Sequence, residues 1–86
     1  MNVEIITPTE SLFKGEAKTV TVPSKKGPFT MLEHHAPIVA TLETGKVVLT
    51  DTLGDKKEFA IKNGFCEQHD NQIILCVETE NENKES

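Results

Sequence analysis

The chain has no tryptophan and no tyrosine, and its four phenylalanines make aromatics only 5% of 86 residues. A core must therefore be built from Val, Ile, Leu and those few Phe, and the β-branched share of that set favours strands. No apolar run approaches the roughly 20 residues that a membrane-spanning helix requires. The opening stretch MNVEIITPTE has no basic segment followed by an apolar one, so it does not read as a secretory signal. Basic residues are outnumbered 14 to 9, giving a net charge of -5. That balance argues against a phosphate backbone as partner. These absences point to the cytosol, or to the cytosolic side of a membrane that the chain does not enter.

What is present reads as one all-β domain. A chain of this length buries about 60% of its unfolded surface, enough for a single modest core. Val3 to Thr7 is a first strand, stopped by Pro8. Leu12-Phe13 is an apolar anchor, with Gly15 permitting a turn or bulge after it. Lys18 to Val22 alternates, with Val20 and Val22 inward, and ends at Pro23. Ser24-Lys25-Lys26-Gly27 is a basic loop in an acidic protein. Further strands follow at Phe29 to Met31, Ile38 to Leu42, Lys46 to Thr50, Lys57 to Lys62, Phe65 to Gln68 and Gln72 to Val77. Asn63-Gly64 suits a tight turn or a bulge. No segment holds helical periodicity over ten residues. Eight or more short strands with frequent turn signals predict a β-sandwich or small barrel over residues 1–77. Residues 78–86, rich in Glu and Asn with no apolar side chain, read as an acidic disordered tail.

Chemistry-bearing residues are sparse. Cys66 and Cys76 lie in one hairpin. A two-residue turn at Asp70-Asn71 would pair Cys66 with Leu75 and Cys76 with Phe65, aiming the thiols at opposite faces and against a disulfide. Both are read as buried thiols of a reducing compartment. His34, His35, His69 and Cys66 fit no zinc-ligand spacing, and neighbours on a strand cannot chelate together. No metal, no cofactor and no catalytic residue is assigned. There is no GxGxxG and no GxxxxGK[ST] run. Glu78 and Glu80 read as solvated charge. A thiol- or metal-dependent enzyme is the weakest of three readings, and a free-standing β-sandwich adaptor stands between. A binding role fits best. The polar bend from Gly27 to Pro37 carries Phe29, Met31 and Leu32 beside Lys25, Lys26 and Glu33, which is apolar area ringed by charge.

An ordered set of short motifs gives this reading a family. Ile6-Thr7-Pro8 is followed by Leu12-Phe13-x-Gly15-Glu16-Ala17, then Val20-x-Val22-Pro23 and Gly27-x-Phe29. Leu32-x-x-His35-Ala36-Pro37, Leu42-x-x-Gly45, Gly64-Phe65-x-Glu67 and Asp70-Asn71 complete it. Over residues 3–77 the chain resembles the N-terminal domain of the ε subunit of bacterial F-type ATP synthase, called δ in mitochondria. The resemblance implies a flattened β-sandwich of about ten strands in two sheets, with no active site. It implies a rotor subunit seated on the γ shaft and the membrane c-ring, peripheral on the cytoplasmic face of the bacterial inner membrane, coupling ion flow to ATP synthesis. The family's contact motif falls on Gly27, Phe29, Leu32, His35, Ala36 and Pro37, with Lys25 and Lys26 beside it. Three departures stand out. The sequence stops where the family's C-terminal helical hairpin would start, so hairpin-based inhibition of ATP hydrolysis is expected to be missing. Glu33-His34 replaces the usual Pro-Gly, and Pro28 stands where an acid is common.

Overall fold

A computed structural model describes residues 1–33 and 36–80. Eight strands form its body: β1 (Asn2–Ile6), β2 (Ser11–Val22), β3 (Phe29–Leu32), β4 (Ile38–Leu42), β5 (Gly45–Asp51), β6 (Lys56–Ile61), β7 (Asn63–His69) and β8 (Gln72–Glu78). Neighbours follow the order β4-β7-β8-β1-β2-β5-β6, with β3 also on β2. The domain is a curled, flattened β-sandwich of 40 × 28 × 19 Å. The 19 Å dimension fits two sheets stacked about 10 Å apart with side chains on both outer faces.

Among the described residues there are eight strands rather than about ten, and one of them serves both sheets. The first half of β2 pairs with β1, from Asn2 opposite Glu16 to Ile6 opposite Ser11. Its second half pairs with β5 and, through Thr19 to Val22, with β3. Gly15 makes neither a turn nor a bulge. It lies in mid-strand, and the register irregularities fall beside it, at Leu12 and at Lys18. An extra residue at such a point bends and twists the strand, which lets β2 leave one sheet and enter the other. Asn63-Gly64 likewise opens β7, with no reversal of the chain before it. Lys62 forms a bend there and donates its N–H to the Glu78 carbonyl oxygen at 2.7 Å.

The predicted alternation places the core. Val20 and Val22 of β2, Met31 of β3 and Leu49 of β5 are almost fully enclosed, as are Ile5, Leu42, Ile73 and Leu75 from the opposing sheet. Phe13 and Phe59 meet edge-on at 6.3 Å across the partly covered margin. The β7–β8 hairpin has the anticipated register, with Phe65 opposite Cys76 and Cys66 opposite Leu75. Its turn residues Asp70 and Asn71 have φ of 53° and 62°, as the strand twist demands of a two-residue turn. Cys66 is enclosed, but Cys76 is only half-buried, because it lies on the outer face. β1 and β8 run parallel, Asn2 beside Gln72 through Ile6 beside Cys76. The Met1 amino group donates to the Ala17 carbonyl oxygen at 3.1 Å and pairs with Glu16 and Glu33, tying the start of β1 to the end of β3.

Candidate partner interface

The predicted contact residues divide among three settings. The first is a groove of about 580 Å³ between the 24–27 turn and strand β4. Ser24 Oγ donates to the Gly27 carbonyl oxygen at 2.6 Å, and the Gly27 N–H returns to the Ser24 carbonyl oxygen at 2.9 Å. Gly27 has φ of +105°, a backbone state that side chains disfavour, so glycine closes this turn at low cost. Ser24 also bridges to Leu42, and the Glu43 N–H donates to the Pro23 carbonyl oxygen at 3.0 Å. The turn is therefore docked on the end of β4. Lys25 and Lys26 occupy its tip, exposed, and neither has an ion-pair partner among the described residues. Phe29 and Ile38 are half-buried in the groove, and Val39 projects beside them, 75% exposed.

Leu32 belongs to a second setting. It is half-exposed on the outer face of the sheet formed by β3, β2, β5 and β6, with Thr19 and then Thr50 as lateral neighbours. Met31, its neighbour in sequence, points into the core, so this apolar pair splits between inside and outside. Ala36 and Pro37 form the third setting, exposed at the entry to β4. His35 and His34 lie outside the described residues, as do residues 81–86 of the expected tail. His69 lies on the outer face and contacts Asp70 at 3.1 Å, while Cys66 points inward, so these two do not combine. Among the described residues no three of His, Cys, Asp or Glu converge as they would around a metal ion. Burial pushes the Cys66 thiol above its ordinary range, with a smaller opposing effect from the Ala40 backbone.

A further surface was not anticipated. On the outer face of the sheet containing β4, β7, β8 and β1, one row of lateral partners is Thr41, Phe65, Cys76 and Ile6. The adjacent row is Val39, Glu67, Ile74 and Glu4. Phe65 is 51% exposed and Ile74 42%, and Phe65 lines a shallow groove of about 470 Å³ with Pro8 and Glu78. The signal lay in the unbroken apolar run Ile73-Ile74-Leu75-Cys76-Val77. A strand apolar at every position carries apolar groups on both faces. This patch offers apolar area bordered by the carboxylates of Glu4, Glu67 and Glu78, the reverse of the lysine-bearing groove.

Fold and surfaces together define a small all-β sandwich module with apolar patches on its outside. The chain belongs to the family described as ATP synthase, Delta/Epsilon chain, beta-sandwich domain, whose model matches residues 1–82. It is 39% identical over 79 residues to the ATP synthase epsilon chain of Leptospira borgpetersenii, covering 91% of this chain and 61% of that one. It is 41% identical over 78 residues to the ATP synthase epsilon chain of Chlorobium limicola, covering 88% and 86%. The chain thus spans under two thirds of the first relative and most of the second. A chain in the Euglena gracilis mitochondrial ATP synthase assembly of OSCP, F1 and c-ring shares the fold with a TM-score of 0.82 at 21% identity, over 87% of this chain and 48% of that one.

Proposed function

We propose that the chain is a non-catalytic rotor subunit of an F-type ATP synthase, joining the γ shaft to the c-ring and coupling ion flow to ATP synthesis. The family match over residues 1–82 carries this reading, and relatives named ATP synthase epsilon chain support it. The fold is also shared with a chain from a Tetrahymena thermophila assembly of central stalk and c-ring. Seat and surroundings follow: peripheral, on the cytoplasmic face of the bacterial inner membrane, in contact with the rest of the complex. No helix among the described residues is long and apolar enough to cross a membrane.

Two partners need two surfaces. The corner of Lys25, Lys26, Gly27, Phe29, Leu32, His35, Ala36 and Pro37 is proposed as one. The outer sheet face around Phe65 and Ile74 is proposed as the other. A connector under torque must resist deformation, and two close-packed sheets give such stiffness. The test is a pull-down with this chain from membranes of its source organism, read by mass spectrometry. Recovery of γ, c, α and β subunits is expected. Recovery of none, from an extract whose ATP synthase is intact, would leave a free-standing adaptor.

A further inference from the structure

The groove beside the 24–27 turn has a chemistry that narrows what can fill it. Among the described residues its charged lining consists of Lys25 and Lys26 alone. Elsewhere the protein carries an excess of acid, for a net charge of -5. Uncompensated like charges held side by side on a surface cost free energy unless an opposite charge arrives. The turn that holds them is fixed at both ends, by the Ser24–Gly27 hydrogen bonds and by the docking of Pro23 and Ser24 on β4. The ammonium groups ride on flexible stems, but their point of attachment is set. Between them and Val39 lies an apolar floor of Phe29 and Ile38.

We infer that this groove receives a loop of a partner protein that carries one or more carboxylates next to an apolar side chain. The inference rests on the rotor reading above and adds the chemistry of the partner segment. The apolar side chain sits on Phe29 and Val39, and the carboxylates meet Lys25 and Lys26 at the rim. An anionic bilayer is the competing anion, and two observations disfavour it. Lipid recognition by basic residues takes clusters of about 4–8, against two here. An acidic body is also repelled by an anionic surface, and a flat headgroup layer has no use for a groove. Rim charge pairs mostly set on-rate and salt dependence, so the lysines steer and orient while the floor supplies contact.

The experiment compares wild-type chain with K25E/K26E and K25Q/K26Q in pull-downs from source membranes at about 0.05 M and about 0.5 M salt. Carbodiimide, which joins amines directly to carboxylates, is applied to the captured complexes, and linked peptides are sequenced. Flotation with phosphatidylglycerol–cardiolipin vesicles runs in parallel. All substitutions are at exposed turn positions, so circular dichroism should show an unchanged fold. Expected are links from Lys25 or Lys26 to Asp or Glu of a synthase subunit. K25E/K26E should recover that subunit about tenfold less well at low salt, with the gap closing at high salt. Equal recovery by all three chains, with no such link, would overturn the inference and leave the rotor reading standing. Vesicle binding lost in K25E/K26E, without a protein link, would overturn it in favour of the membrane. If wild type recovers no synthase subunit, the rotor reading fails and this inference fails with it.

Discussion

Gln68 reaches across the sandwich from β7 and donates its side-chain N–H to the Leu32 carbonyl oxygen, 3.3 Å away at the end of β3. The residue is 1% exposed, and its Oε1 has no partner among the described residues. The bond contributes about 0.5–1.5 kcal/mol, while the unpaired buried oxygen costs about 1–3 kcal/mol. Gln68→Met keeps the volume and removes the orphaned oxygen together with the bond, so it should change stability by less than about 1 kcal/mol. Gln68→Ala opens a cavity as well and should cost about 2–4 kcal/mol. Urea unfolding midpoints of the two variants check this.

Gly64 lies opposite Val77, where β7 runs beside β8 in the same sheet. A Cβ there would meet the Cys76 carbonyl oxygen and lie 3.0 Å from Val77 Cα. Both obstacles are backbone atoms of a central strand, so neither can move aside cheaply. Gly64→Ala should therefore destabilise by at least about 1–3 kcal/mol, the range of an overpacked core. Thermal unfolding of that variant beside wild type measures it.

Phe65 faces outward from the same strand, half-exposed between Thr41 and Cys76. Phe65→Ser should alter stability by under about 1 kcal/mol, as surface changes do. If the outer sheet face holds a rotor partner, the same change should weaken recovery of ATP synthase subunits severalfold. An unchanged pull-down would remove this face from the proposed contacts.

The two thiols should behave differently. Cys76 is half-buried and should react with an aromatic disulfide reagent in the folded state, whereas Cys66 should react only on unfolding. Burial raises the Cys66 pKa above its ordinary 9.0. The folded state then holds that proton more tightly than the unfolded state does. Its stabilising contribution is complete well below that ordinary value and falls as pH rises through it towards the folded one. Wild type should accordingly lose more stability between neutral pH and pH above about 10 than Cys66→Val does. Denaturant midpoints at both pH values decide it.

Much of the fold is legible in the residues because alternation is a local signal. Val20 and Val22 inward, Phe59 and Ile61 on one face, and the Asp70-Asn71 turn that sets Phe65 opposite Cys76 all follow from period-two patterning and turn chemistry. Gly15 misleads, since a glycine that can turn need not do so when both flanking segments find partners. The parallel partnership of β1 and β8 is invisible locally, because nothing in either strand names a neighbour so far along the chain. The lysine turn is legible from composition alone. The apolar outer face is concealed, since a doubly apolar strand such as Ile73 to Val77 reads simply as more core.

The position of β8 has a consequence in time. It lies between β7 and β1, so it joins the β4–β7 half of its sheet to the β1–β2 half. It is also the last of the eight strands to leave the ribosome. Until it emerges the chain holds two hairpin-like halves with open edges, and closing the ladder to β1 brings together positions about seventy residues apart. Such distant pairing is slow, on the order of milliseconds to seconds for domains dominated by it. Completion therefore waits for the last of the eight strands, and the unpaired edges of the waiting halves are where a nascent copy is most open to joining its neighbours instead of itself.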